Sequence, residues 1–200
     1  MSIKTGVLGG TFNPPHIGHL SAAEHARQAL GLDKVLFIPT NIPPHKVLPA
    51  CSATTEQRCE MVRRMISPYP WAYFSDIEVS RGGPSYTVDT LRQLHRMGYE
   101  DLTLIVGTDM LLSFDQVWRA PREIARLAAL AVVSRGIGDR RDLARKAKSL
   151  HDALGARIRL IDCPVVEVSS TELRRGGAFD RLTPPAVAAY IAENRLYQQV

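Results

Sequence analysis

Apolar residues along this 200-residue chain fall into two alternating kinds of segment. Short continuous runs at 3–8, 35–38, 72–79, 102–106, 129–133 and 158–161 are bounded by Gly, Pro, Asn and Asp. They read as strands buried on both faces. Between them, at 17–30, 55–66, 86–97, 122–127 and 141–154, apolar positions recur at mixed spacings of three and four, the signature of helices with one buried stripe. A last helix is predicted over 184–196, with Thr183 as its N-cap and Pro184 at its first position. Strands that alternate with helices imply an α/β fold: a Rossmann-like, doubly wound, mainly parallel sheet with helices on both faces. There is no internal repeat and no low-complexity linker, so residues 1–200 are expected to form a single domain.

In open α/β sheets ligands bind beyond the carboxyl ends of the strands, which directs attention to the segments after each run. After the first comes Gly9-Gly10-Thr11-Phe12-Asn13-Pro14-Pro15-His16-Ile17-Gly18-His19. Glycines let a backbone approach a bulky anion, and a helix start offers unpaired N–H groups and the positive end of a dipole. His16 and His19, three apart, fall on one face of the first turn, where both rings can address one bound group. This is a candidate nucleotide-phosphate site. After the second run stand Asn41, His45 and Lys46, after the fourth Gly107 and Asp109, and after the fifth Arg135. After the sixth, Ser169-Ser170-Thr171-Glu172-Leu173-Arg174 combines hydroxyls, a helix start and a guanidinium that can grip phosphate bidentately.

Composition narrows the reading. A hydrophobic fraction of 45% supports a sizeable core. No run nears the roughly 20 apolar residues that span a bilayer, and the N-terminus lacks a signal-peptide core, so a cytoplasmic protein with no membrane partner is expected. Cys51, Cys59 and Cys163 are odd in number and without CxxC spacing, which points to neither a disulfide framework nor a zinc site. The net charge of +5 and pI near 9.3 suit polyanionic small molecules as well as nucleic acid. The nucleic-acid reading lacks a sustained basic stripe interleaved with aromatics. The basic stretch 135–148 is interrupted by Asp139 and Asp142 and reads as a solvated helix face.

GGTFNPPHIGH contains an HxGH signature and SSTELR matches SSTxxR, and together they resemble the nucleotidyltransferase family of α/β phosphodiester-forming enzymes. Four further stretches, PTNIPPHK, GPSYT, GTDMLLSFDQVW and VVSR, extend the likeness over nearly the whole chain, toward the bacterial nicotinate-nucleotide adenylyltransferases. The resemblance implies transfer of the adenylyl group of ATP to nicotinate mononucleotide, giving nicotinate adenine dinucleotide and pyrophosphate in NAD biosynthesis. It implies that His16, His19 and Arg174 are catalytic. ATP would be held by Gly9, Gly10, Thr11, Phe12, His16, His19, Gly107, Asp109, Ser169, Ser170, Thr171 and Arg174. Nicotinate mononucleotide would be held by Asn41, His45, Lys46, Tyr86, Thr87, Trp118 and Arg135, with Ser85 as a helix cap that leaves the N–H groups of Tyr86 and Thr87 for the carboxylate and Trp118 stacked on the pyridine. Mg²⁺ would arrive with ATP, with no metal held by the protein alone. A homo-oligomer is a possible assembly. Many members carry aspartate where this chain has Asn13, which keeps the turn geometry and removes a charge. The same chemistry on nicotinamide mononucleotide or phosphopantetheine, and a nucleotide-binding regulatory module without turnover, stand as alternatives.

Overall fold

The computed structural model describes residues 2–134, 140–164, 166 and 168–198. The strands are β1 (Lys4–Gly10), β2 (Lys34–Pro39), β3 (Ala72–Phe74), β4 (Asp101–Gly107), β5 (Ala129–Ser134) and β6 (Ile158–Asp162). The longer helices are α1 (Ile17–Leu30), α2 (Thr55–Ile66), α4 (Thr87–Arg96), α8 (Arg140–Leu154) and α11 (Pro185–Glu193). Shorter ones are α3 (Ile77–Arg81), α5 (Thr108–Leu112), α6 (Phe114–Val117), α7 (Pro121–Leu127), α9 (Ser170–Gly176) and α10 (Phe179–Leu182). The sheet order is β3-β2-β1-β4-β5-β6, and the pairs β1 with β4, β4 with β5 and β5 with β6 are parallel. The expected α/β class holds. No helix among the described residues is long and apolar enough to cross a membrane.

Backbone proximity divides the chain into two compact units: Met1–Leu8, Ser21–Leu36 and Tyr86–Val165 form the first, Gly9–Leu20, Phe37–Ser85 and Val166–Val200 the second. In the first, Leu102 to Val106 of β4 and Leu130 to Val133 of β5 are buried at consecutive positions, as strands covered on both faces must be. Gly6 lies at a tightly packed point of β1: a Cβ there would lie 3.0–3.1 Å from side-chain methyls of Leu32, Val35 and Ile105. In the second unit, α2 buries Met61, Val62 and Met65, and α11 buries Val187 and Ile191. The start of α2 is a capping box: Thr54 Oγ1 accepts the Gln57 N–H at 3.2 Å, and Gln57 Oε1 accepts the Thr54 N–H at 2.9 Å.

Three expectations are corrected in detail. The run 72–79 is a strand only to Phe74; from Ile77 it is the helix α3, opened by the Ser80 N–H bonding back to the Asp76 carbonyl. Its alternating apolar residues imitate a strand, yet Ile77 and Glu78 are both buried, as consecutive strand residues facing opposite ways on an exposed edge would not be. Ser85 does not cap α4. Tyr86 is the cap residue, and Ser85 Oγ accepts the Asn41 N–H at 2.9 Å instead. The last helix starts at Pro185, with Pro184 at the cap, because Thr183 closes α10: its N–H and hydroxyl both donate to the Phe179 carbonyl.

Thr54→Ala removes one half of the capping box and is expected to cost about 1 kcal/mol, read as a lower urea midpoint at unchanged slope.

Candidate active site

The second unit contains both signature motifs, and hydrogen bonds join them. β1 ends in Gly9 and Gly10, and open space surrounds the position a Gly9 side chain would take. The chain then turns at Phe12, which is buried with a left-handed φ of 48°. Its ring lies 4.9 Å from His19 and 6.4 Å from Phe37, centroid to centroid. The left-handed turn residue is therefore Phe12 rather than a glycine.

His16 precedes α1 and His19 lies in its first turn. The His16 N–H donates to His19 Nδ1 at 3.1 Å, and the His19 N–H donates to the His16 carbonyl at 2.9 Å. A neutral His19 ring that accepts at Nδ1 carries its proton on Nε2, so Nε2 is a donor. The two rings pack at 3.7 Å. Gly18 makes this possible: a Cβ at that position would stand 3.0 Å from His16 Nδ1 and 3.1 Å from Val168 Cγ1. The glycine inside the HxGH motif thus serves the buried His16 ring.

In the second motif, Ser169 caps α9, its hydroxyl accepting the Glu172 N–H at 3.1 Å and donating to the Glu172 carboxylate at 2.8 Å. Ser170 Oγ donates to the Pro14 carbonyl at 2.8 Å. Arg174 donates to the carbonyls of Asn13 at 2.5 Å and Ser170 at 3.0 Å, and to Thr171 Oγ1 at 3.3 Å. Both serine hydroxyls brace the protein, which leaves the Arg174 guanidinium as the charged group of this motif able to face an anion.

Sequence reasoning missed two residues of this network. Arg58 is 1% exposed, and donates to the carbonyls of Thr11 and Thr40, each at 2.8 Å, and of Asn41 at 3.2 Å. Burial pulls its pKa below the ordinary arginine value; the carbonyls around it still suit a charged, five-donor group. Its position on the amphipathic helix α2 gave no hint, since a buried arginine there looks like any solvated one. Tyr197 OH donates to Asn13 Oδ1 at 2.8 Å. Burial raises its pKa well above the usual phenol value, so the hydroxyl stays a donor. Asn13 Oδ1 also accepts the Ala53 N–H at 3.2 Å, while its Nδ2 donates to Ser52 Oγ at 2.8 Å. Asn13 therefore uses both ends of its amide, a structural task besides the charge difference from aspartate.

Asn41 is tied to the loop 83–85: Asn41 Nδ2 donates to the Gly83 carbonyl at 3.2 Å, and the Ser85 N–H to the Ile42 carbonyl at 2.9 Å. His45 and Lys46 stand exposed in the loop that follows.

The first unit carries the remaining candidates. Gly107 and Asp109 are exposed at the start of α5. Tyr86 and Thr87 open α4, and the Arg119 guanidinium lies 4.7 Å over the Tyr86 ring and 3.8 Å from Asp89. Trp118, half-buried, packs on Phe114 at 5.3 Å and leaves part of its indole accessible. Arg135 lies outside the described residues. Among those described, no group of three or more His, Cys, Asp or Glu is placed to hold a metal ion.

The family model described as "Cytidylyltransferase-like" matches residues 7–176. The chain belongs to the cytidylyltransferase-like family. Within it, the chain is 41% identical over 199 residues to the "Probable nicotinate-nucleotide adenylyltransferase" of Synechococcus sp. (strain JA-3-3Ab), covering 97% of this chain and 94% of that protein. It is 43% identical to the protein of the same name from Roseiflexus sp. (strain RS-1), covering 98% and 99%. A solved structure with the same fold is that of Plasmodium falciparum nicotinic acid mononucleotide adenylyltransferase complexed with NaAD, at TM-score 0.76, 16% identity and 97% coverage of both chains. The matched segment of this cytidylyltransferase-like chain includes both histidines and Arg174.

Arg58→Met strips three loop carbonyls of their shared donor and is expected to cost about 3 kcal/mol, measured by chemical denaturation.

Proposed function

We propose that this chain transfers the adenylyl group of ATP to nicotinate mononucleotide, yielding nicotinate adenine dinucleotide and pyrophosphate, a reaction of NAD biosynthesis carried out in the cytoplasm. The observation that carries the reading is the near full-length identity of 41–43% to relatives of that name. It is supported by the hydrogen bonds between the two signature motifs. Both compact units belong to one nucleotidyltransferase domain in this reading, since the family match runs through residues of each.

An oxygen of the mononucleotide 5′-phosphate attacks the α-phosphorus of ATP in line. A new P–O bond forms, the bond from the α-phosphorus to the bridging oxygen breaks, and pyrophosphate leaves with that electron pair. The attacking phosphate is already ionised near neutral pH, so no protein nucleophile or strong base is needed. The work of the protein is positioning and charge stabilisation. ATP enters as its magnesium complex, the metal travelling with the substrate and neutralising charge on the departing phosphates.

In the second unit, His19 donates from Nε2 to the reacting phosphate, beside His16. Arg174 stabilises the charge that collects on the leaving pyrophosphate. Gly9, Gly10, Thr11 and Phe12 form the turn that leaves room for ATP, and the α9 start at Ser169, Ser170 and Thr171 offers further phosphate contacts. Asn41, His45 and Lys46 serve the mononucleotide phosphate, Lys46 as a mobile point charge. In the first unit, Tyr86 and Thr87 receive the nicotinate carboxylate at the positive end of α4, where an anion is preferred to a neutral carboxamide. Trp118 stacks on the pyridine, and Gly107 and Asp109 bind the nucleotide, Asp109 through its ribose hydroxyls. Arg135 is assigned to phosphate by family likeness alone.

Pyrophosphate release should be measured with ATP and, in turn, nicotinate mononucleotide, nicotinamide mononucleotide and phosphopantetheine. Release is expected to be fastest with the first; ATP binding without release from any acceptor would replace the enzyme with a regulatory module. His19→Ala is expected to lower kcat by roughly 100-fold or more while binding of the mononucleotide is retained. Trp118→Ala is expected to raise the KM for nicotinate mononucleotide roughly tenfold, the equivalent of about 1.4 kcal/mol of stacking. Unchanged constants would remove each role.

A further inference from the structure

The C-terminal segment of the second unit makes a contact that the reaction as described does not use. After α11 the chain bends so that Tyr197, 184 residues from Asn13 in sequence, delivers its hydroxyl to Asn13 Oδ1 at 2.8 Å. The bend is conformationally costly. Arg195 and Tyr197 both adopt left-handed backbone, with φ of 50° and 61°, a region that residues with a Cβ avoid. Phe12, beside Asn13, is a third such residue at φ 48°; among the described non-glycine residues only Ala120 shares the feature. Backbone held in sparsely populated regions persists where the surroundings over-determine it, and such residues cluster at functional sites.

Simple anchoring of the tail would need only the ring, which stacks on Phe179 at 5.7 Å between centroids and 27° between planes. The hydroxyl adds something different. Its acceptor belongs to the residue whose own carbonyl takes the Arg174 guanidinium. The same residue lies three before His16, in the turn whose Pro14 carbonyl accepts from Ser170. Asn13 thus links the tail to both signature motifs. Its side-chain oxygen and its main-chain carbonyl are two atoms of one residue, so the Tyr197 contact and the Arg174 contact meet at Asn13.

We propose that Tyr197 is a positioning residue for adenylyl transfer, its hydroxyl fixing Asn13 and, through Asn13, the orientation of Arg174 and the turn leading to His16. The inference rests on the adenylyl-transfer reading. It predicts an effect on turnover rather than on substrate capture, because Tyr197 acts through other residues and its hydroxyl is spent on Asn13.

Tyr197→Phe keeps the ring and its stacking and deletes only the hydroxyl. Assayed at 25 °C with ATP and nicotinate mononucleotide, the variant is expected to lose about tenfold in kcat, with KM for both substrates within about threefold of the parent. A second variant ending at Leu196 removes ring and hydroxyl together, and is expected to lose at least as much kcat. Thermal melts of both variants establish that the assay temperature lies below unfolding. If Tyr197→Phe lowers the melting temperature but keeps the parent kcat, the hydroxyl is only structural and the proposal falls; the same holds if KM rises while kcat stands. If the parent itself releases no pyrophosphate with any acceptor, it is the adenylyl-transfer reading that fails.

Discussion

Asn13 accepts or donates four hydrogen bonds from one turn: to Ser52, from Ala53, from Tyr197 and, at its carbonyl, from Arg174. It is 2% exposed, and a buried amide has to satisfy both its ends or lose the free energy of desolvation. That requirement ties segments near residues 13, 52 and 197 to one point, and the main-chain carbonyl of Asn13 adds Arg174. Arg58 applies the same constraint to the neighbouring loops, since three carbonyls share its guanidinium. The loops of the second unit are therefore held by polar groups aimed at backbone carbonyls, where hydrophobic packing alone would leave their angles undetermined.

Such bracing fits the proposed chemistry. In-line transfer between phosphates makes no demand for a protein nucleophile, so rate depends on how well donors are aimed before reaction. A donor such as His19 Nε2 is useful when its ring cannot turn, and its Nδ1 is already fixed by the His16 N–H. The glycine between the two histidines contributes by absence: a Cβ there would press on the His16 ring at 3.0 Å. Much of the signature can be understood as scaffolding for a small number of groups that face substrate.

The serines of the second motif show the same division of labour. Ser169 caps α9 and Ser170 fastens that helix to the Pro14 carbonyl. An arginine at the end of a short helix is a poor anchor by itself. With its helix fastened and its own N–H groups held by the carbonyls of Asn13 and Ser170, it has a defined direction.

Hydrophobic periodicity by itself determined the alternation of strands and helices, because a strand buried on both faces and an amphipathic helix leave different spacings that local context does not erase. It also placed the glycine-histidine stretch and the SSTELR segment after strands, where an α/β sheet presents its loops. Short elements escaped: the run 72–79 reads as one strand yet ends as a strand at Phe74 and from Ile77 winds into α3, and Pro184 and Thr183 each shifted one role toward the N-terminus because α10 claimed Thr183. What only the tertiary structure decided were the partners of polar side chains far apart in sequence. Ser85 reads as a helix cap until Asn41, 44 residues away, donates to it. Arg58 reads as a solvated arginine until three loop carbonyls converge on it, and Tyr197 as an ordinary tail residue until Asn13 is its acceptor. A hydrogen bond between distant residues leaves no periodic trace in the chain; the need to satisfy buried polar groups makes the pairing, and that need exists only once the chain has folded.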